Sequence, residues 1–131
     1  VGAKFALKEK WASADALDCH YGTPVLHAGL LYGFHGRQEQ GQELRCVDAA
    51  NGRVKWRQPM AAGTVLVAGG TLVVLTEKGE LVLAPASAEG FAPTARGQIL
   101  GAPSRAFPAL ADGRLFARDG KNLVGVRLGP Q

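Results

Sequence analysis

Three glycines, Gly29, Gly70 and Gly113, each open a short apolar run, and they lie 41 and 43 residues apart. The runs read Gly29-Leu30-Leu31-Tyr32, Gly70-Thr71-Leu72-Val73 and Gly113-Arg114-Leu115-Phe116. Each is followed by a polar turn (Gly36 to Gly41, Glu77-Lys78-Gly79, Asp119-Gly120-Lys121) and by a second arm at Glu43 to Asp48, Glu80 to Ala84 or Leu123 to Leu128. A fixed period of this kind constrains the fold more than composition does. Each unit is one small element that cannot bury its apolar face alone and must stack on its neighbours.

The first unit is the most legible and runs from Thr23 to Arg57. Pro24 to His27 reads as a short strand ended by Ala28-Gly29, and Leu30 to Phe34 as a second. Leu44 to Asp48 alternates, with Leu44, Cys46 and Asp48 on one face and Arg45 and Val47 on the other, the period of a strand. The turn Asp48-Ala49-Ala50-Asn51-Gly52 follows, because Asp and Asn side chains bond nearby backbone and Asn-Gly takes positive φ readily. Val54 to Arg57 leaves it as a fourth strand. Four such strands form a meander too small to be stable alone.

A period near 42 residues with four strands per unit falls in the range of β-propeller blades. The expected fold class is therefore all-β, with about three four-stranded antiparallel blades in a partial ring, or a ring completed by oligomerisation or by further chain. The 18 glycines and 7 prolines suit a turn-rich β protein. No apolar stretch approaches the roughly 20 residues that span a membrane as a helix.

The Gly-x-Leu-Tyr-Gly-Phe pattern of residues 29–34, followed by Leu44-Arg45-Cys46-Val47-Asp48-Ala49-Ala50-Asn51-Gly52-Arg53-Val54-Lys55-Trp56, resembles the repeat of the pyrroloquinoline-quinone-like (PQQ-like) β-propellers. Thr76 to Leu83 and Gly113 to Gly120 resemble the C-terminal blades of a larger bacterial member. Asn51 stands where that repeat usually has Thr, and the second unit lacks a Trp where the period would place one. The resemblance implies that Trp11 and Trp56 dock between neighbouring blades, and Tyr32 and Phe116 are placed in the same docking set.

Phe5 to Trp11 ends in Lys-Trp as Val54 to Trp56 does, with the two tryptophans 45 residues apart. Residues 1–18 are thus expected to hold the fourth strand of a preceding or closing blade. Residues 19–60 and 61–101 are expected to be blades, and 102–131 a blade that stops at Gly129-Pro130-Gln131 without its fourth strand. Three blades do not close a ring, so the chain is expected to be the C-terminal portion of a longer one or to close on further copies of itself. The first strand of each blade would bring Val25, Leu26, Val65, Leu66, Ala109 and Leu110 toward the axis. The loops Cys19 to Tyr21 and Ser104 to Phe107 beside it are where a ligand is expected.

The formal charge is +4, with Lys and Arg scattered through turns and strand faces rather than gathered in a stripe. That distribution argues against a nucleic-acid surface. No G-x-S-x-G, H-E-x-x-H or phosphate loop is present, and Asp15, Asp18, Asp48, Asp112 and Asp119 form no carboxylate pair. No catalytic residue is assigned. Cys19, His20, His27, His35 and Cys46 lack the close ligand spacing of a zinc site, so no metal is expected. Cys19 and Cys46 are open to two readings: a disulfide in an exporting compartment, or reduced cysteines acting as small apolar residues.

The resemblance raises pyrroloquinoline quinone and calcium as cofactors, but the adjacent-cysteine disulfide of the family's quinoprotein dehydrogenases has no counterpart here. The expected function is a non-catalytic scaffold or binding module that mediates protein–protein interaction, of the kind that serves outer-membrane β-barrel assembly. The alternatives are a portion of a PQQ-dependent quinoprotein oxidoreductase and an excised or engineered propeller fragment. Its expected partners are other propeller blades, from its own copies or the remainder of a longer chain, and a protein. The chain begins at Val1 without a signal peptide, and the resemblance implies a periplasmic or exported protein.

Overall fold

A computed structural model describes residues 4–129, so Val1 to Ala3, Pro130 and Gln131 of the expected terminal segments lie outside the described residues. The first sheet holds β1 (Val25–His27), β2 (Leu30–His35), β3 (Glu43–Asp48) and β4 (Val54–Pro59). The second holds β5 (Gly63–Ala68), β6 (Thr71–Thr76), β7 (Glu80–Pro85) and β8 (Ala95–Gln98). The third holds β9 (Ala109–Ala111), β10 (Arg114–Arg118) and β11 (Leu123–Arg127). Within every sheet the strands pair antiparallel in chain order, so each is a meander. Among the described residues the third sheet ends at β11, whose outer edge pairs with nothing.

The sequence period is a backbone period. The turn into the second strand is Ala28-Gly29 in the first sheet, Gly69-Gly70 in the second and Asp112-Gly113 in the third, with φ of 49° and 76°, 54° and 76°, and 50° and 71°. Two successive positive φ angles are the tight hairpin turn whose twist matches that of the strands it joins. The second residue is glycine each time because that conformation is costly for other side chains. With the turns superposed, Tyr32, Val73 and Phe116 become equivalent, three residues beyond each glycine.

The sheets stack face on face. Tyr32, Phe34, Leu44 and Cys46 of the first sheet share a buried cluster with Val65, Leu72, Val74 and Val82 of the second. On the opposite side of the second sheet, Val73 and Leu81 meet Leu115 of the third, with Leu66 and Leu110 packed alongside. Leu75, Leu100 and Ala117 form a third cluster across the same interface. Strand β6 is therefore buried on both faces. Strand β5 packs against β1 and β2, which brings the first strands of sheets one and two together.

Two features concern the segment before β1. Strand β3 alternates as expected, yet Leu44, Arg45, Cys46 and Val47 are all buried, because residues 11–18 cover its second face. The Arg45 guanidinium donates to the carbonyls of Asp15 and Ala16 at 2.6 and 2.9 Å and pairs with Glu43, so a charged side chain is buried with its donors satisfied. Among the described residues no strand lies beside Phe5 to Trp11 to pair with its backbone, and that segment is not a strand here; Phe5 and Leu7 stand fully exposed.

Candidate functional site

Two loops expected to lie near a ligand converge on one cavity of about 490 Å³, lined among others by His20, Tyr21, Phe34, Glu77, Arg105 and Phe107. Each loop is held by specific bonds. The Asp18 amide donates to His35 Nδ1 at 2.9 Å, and the Gly36 amide donates to the Asp18 carbonyl at 3.2 Å. A bridge between Cys19 and Gly36 extends this contact. On the other side the buried Ser104 donates from its amide to the Glu77 carbonyl at 2.7 Å and from its hydroxyl to the Arg118 carbonyl at 3.2 Å. The rim is aromatic: Tyr21 is exposed and stacks on His20 at 3.9 Å, and Phe107 is half exposed. Phe34, nearly buried, lines the same cavity.

Burial holds the His35 imidazole below its ordinary range, with Arg45 adding to the effect and Glu43 and Asp18 opposing it. The neutral ring is the form that accepts from the Asp18 amide. Burial also raises the Cys46 thiol, and burial together with the Asp18 charge raises Cys19. Neither cysteine is poised as a thiolate nucleophile.

Both cysteines are free, and the sheet explains why the disulfide between Cys19 and Cys46 does not form. Cys46 stands opposite Tyr32 on β2, whereas Cys19 bridges to Gly36, four residues farther along. Four residues of strand span about 13 Å, well beyond the roughly 7 Å between Cα atoms that a disulfide tolerates.

The cavity's carboxylates are Glu39 and Glu77, and Glu77 faces the Arg105 guanidinium at 3.8 Å. Calcium takes six to eight oxygen ligands, and two carboxylates, one of them facing an arginine, do not fit it. The carboxylates of this cavity therefore do not make the donor set of a calcium-held quinone.

The aromatic residues singled out in the sequence occupy a different place, between the sheets. Tyr32, Cys46 and Trp56 stand side by side across β2, β3 and β4. The Trp56 ring lies 6.1 Å from Tyr32 and 5.8 Å from Phe91. Its indole N–H donates to the Ser87 carbonyl at 2.7 Å, tying the fourth strand of one sheet to the loop after the third strand of the next. Trp11 repeats that bond one unit earlier. Its indole N–H donates to the Ala49 carbonyl at 2.9 Å, in the turn after β3. Its ring lies close over Gly52, where a Cβ would come within 2.9 Å.

Phe116 stands opposite Gly125, as Tyr32 stands opposite Cys46, but it is 46% exposed where Tyr32 is 0% exposed. In the second sheet the equivalent row is Val73, Leu83 and Ala95, so the position expected to lack a tryptophan holds an exposed alanine. The acceptors Ala49 and Ser87 carried no sequence signal, because a backbone carbonyl has no side-chain signature. Asp119, read only as a turn residue, accepts from the amides of Lys121, Asn122 and Gly101 at 2.7, 2.7 and 2.9 Å. Those bonds pull its carboxyl down to about 2.

Meander sheets of this size, stacked face on face in chain order, are the blades of a β-propeller-type repeat protein. The family model described as outer membrane protein assembly factor BamB matches residues 40–128, about two thirds of the chain, and the chain belongs to that family of PQQ-like repeats. A search of curated proteins finds no match.

Proposed function

We propose that this chain is a non-catalytic propeller scaffold that binds a protein partner through the loop-lined cavity, in the assembly of outer membrane proteins at the periplasmic side of that membrane. In this reading residues 19–60, 61–101 and 102–131 are successive blades. The observation that carries it is the aromatic rim: Tyr21 and Phe107 stand exposed over Phe34 around one concavity. Exposed aromatics around a concave centre are the usual anchors of protein interfaces. Polar groups of the cavity serve its architecture: Ser104 and Arg105 tie the 104–107 loop to Glu77 in the turn after β6 and to Arg118. The family's description, outer membrane protein assembly factor, supplies the partner class.

The test is retention of solubilised outer membrane assembly components on immobilised protein. Tyr21→Ala/Phe107→Ala removes two exposed rings, so the variant keeps its fold. It is expected to lose at least about tenfold in retention, the scale of a modest interface anchor. Equal retention by wild type and variant would overturn the reading.

A further inference from the structure

The loop that carries His20 and Tyr21 is fastened at both ends and in the middle, and a proton can act on the middle fastening. Upstream, Arg45 donates to the Asp15 and Ala16 carbonyls. Leu17 and Pro24 close on Gly33, where a Cβ would come within 3.2 and 3.0 Å of them, and β1 then begins at Val25. Between these points the loop meets the end of β2. There the Asp18 amide donates to His35 Nδ1, the Gly36 amide donates to the Asp18 carbonyl, and Cys19 bridges to Gly36. His35 is partly exposed, so solvent protons reach it. An imidazole accepts at Nδ1 only while that nitrogen carries no proton, and the imidazolium is a donor at both nitrogens. Charging His35 therefore sets two N–H groups against each other at a nitrogen separation of 2.9 Å.

We infer that His35 is a proton-operated latch on the cavity: its protonation frees residues 18–22 from the end of β2, carries Tyr21 out of the rim and weakens the hold on the protein partner. The last step rests on the cavity reading; the release of the loop does not. The groups that face the ring are Asp18 from the loop, Glu43 and Arg45 from β3, and Arg57 from β4. Glu43 stands opposite His35 in register but is engaged by Arg45, and both arginines oppose a second positive charge. Asp18 and Glu43 favour that charge, yet burial and the arginines prevail and the ring titrates below the ordinary 6.5. Cys19 stays a neutral thiol throughout this range, since burial and the Asp18 charge raise it. The latched state thus binds the proton less readily than the freed one, and acidification shifts the population toward release. The latch is complete above pH 6.5 and opens as pH falls through the lower value of the latched ring. Arg45, Leu17 and Pro24 keep both ends of the loop in place, so the change is confined to its middle.

The test titrates the chain from about pH 8 to about pH 5, the range in which histidine charges. Nuclear magnetic resonance follows the His35 ring and the contacts of residues 18 and 19 with residues 35 and 36, and circular dichroism reports β structure. Retention of solubilised outer membrane assembly components on the immobilised protein is measured at each pH. The loop contacts are expected to disappear along the His35 titration with the sheets intact, and retention to fall at least about threefold, as displacement of one aromatic anchor does. His35→Asn keeps an acceptor oxygen on the side chain and does not titrate, so it is expected to hold the loop and the retention level across the range. Loop contacts that persist in wild type while His35 charges, or that His35→Asn loses at the same pH as wild type, would overturn the latch. Release of the loop in step with His35 at unchanged retention would sustain the latch and overturn the cavity reading.

Discussion

Sheets one and three are built on the same turn and the same register, yet one presents Tyr32 completely buried and the other presents Phe116 at 46% exposure. The turn and the register do not distinguish them. Tyr32 has the second sheet to pack on and Trp56 beside it, whereas the equivalent face of the third sheet has neither. Burial in a stacked repeat is a property of the neighbour rather than of the blade, and stability is gained at the interfaces. The interior of the stack is accordingly apolar on both sides of β6.

The sharpest way to break the contrast is to make the closed interface resemble the open one. Trp56→Ala removes a ring packed between Tyr32 and Phe91 and the bond to Ser87. It is expected to cost about 3–5 kcal/mol, measured by denaturant unfolding; an unchanged unfolding midpoint would sink the docking role. Gly52→Ala is next. Its φ of 74° and the Trp11 ring that meets its new methyl together cost about 1–2 kcal/mol, read the same way, and should displace Trp11 from Ala49, visible as a shift in tryptophan emission.

A third expectation concerns the cavity loop. Neutral His35 accepts from the Asp18 amide, and its folded pKa lies below the ordinary 6.5. The unfolded state therefore binds the proton more readily, so the bond's contribution is complete above pH 6.5 and is lost as pH falls through the lower folded value. Arg45 and Arg57 reinforce this direction, and Glu43 and Asp18 oppose it. Amide-exchange protection at Asp18 and Gly36, relative to the intrinsic rate at each pH, should fall on acidification through that window and should not change with pH in His35→Asn.

The Asp119 carboxyl behaves with the same sign at lower pH. Its bonds to the Gly101, Lys121 and Asn122 amides are complete above about 4 and lost as pH falls toward about 2, so the Gly101 amide should lose protection only there. The smallest effect belongs to Tyr32→Phe. The Tyr32 hydroxyl is buried with no nitrogen or oxygen partner, and burial beside the Cys46 thiol pushes it to about 12. Its removal should change stability by less than about 1 kcal/mol, or raise it slightly.

The repeat was legible because positive φ leaves a residue signature: Gly29, Gly70 and Gly113 announce three turns of one kind. The apolar arms that follow them were legible for the same reason as any strand. Strand β8 was hidden, because Ala95, Arg96, Gly97 and Gln98 are exposed throughout and take their conformation from pairing with β7. The cover on the back of β3 was hidden as well. It is made by an irregular segment whose carbonyls, at Asp15 and Ala16, receive Arg45. At the candidate site, the loops 19–21 and 104–107 were placed beside one cavity from topology alone, but the bonds through His35 and Ser104 that hold them there join residues 17 and 14 positions apart. Long-range polar contacts of that kind have no local pattern to read.

The most direct test of burial gained at the interface between sheets is the broadening of the Tyr32 and Phe116 ring signals by a dissolved paramagnetic probe in nuclear magnetic resonance. Strong broadening of Phe116 with Tyr32 protected is the predicted result. Equal broadening of the two rings would contradict it.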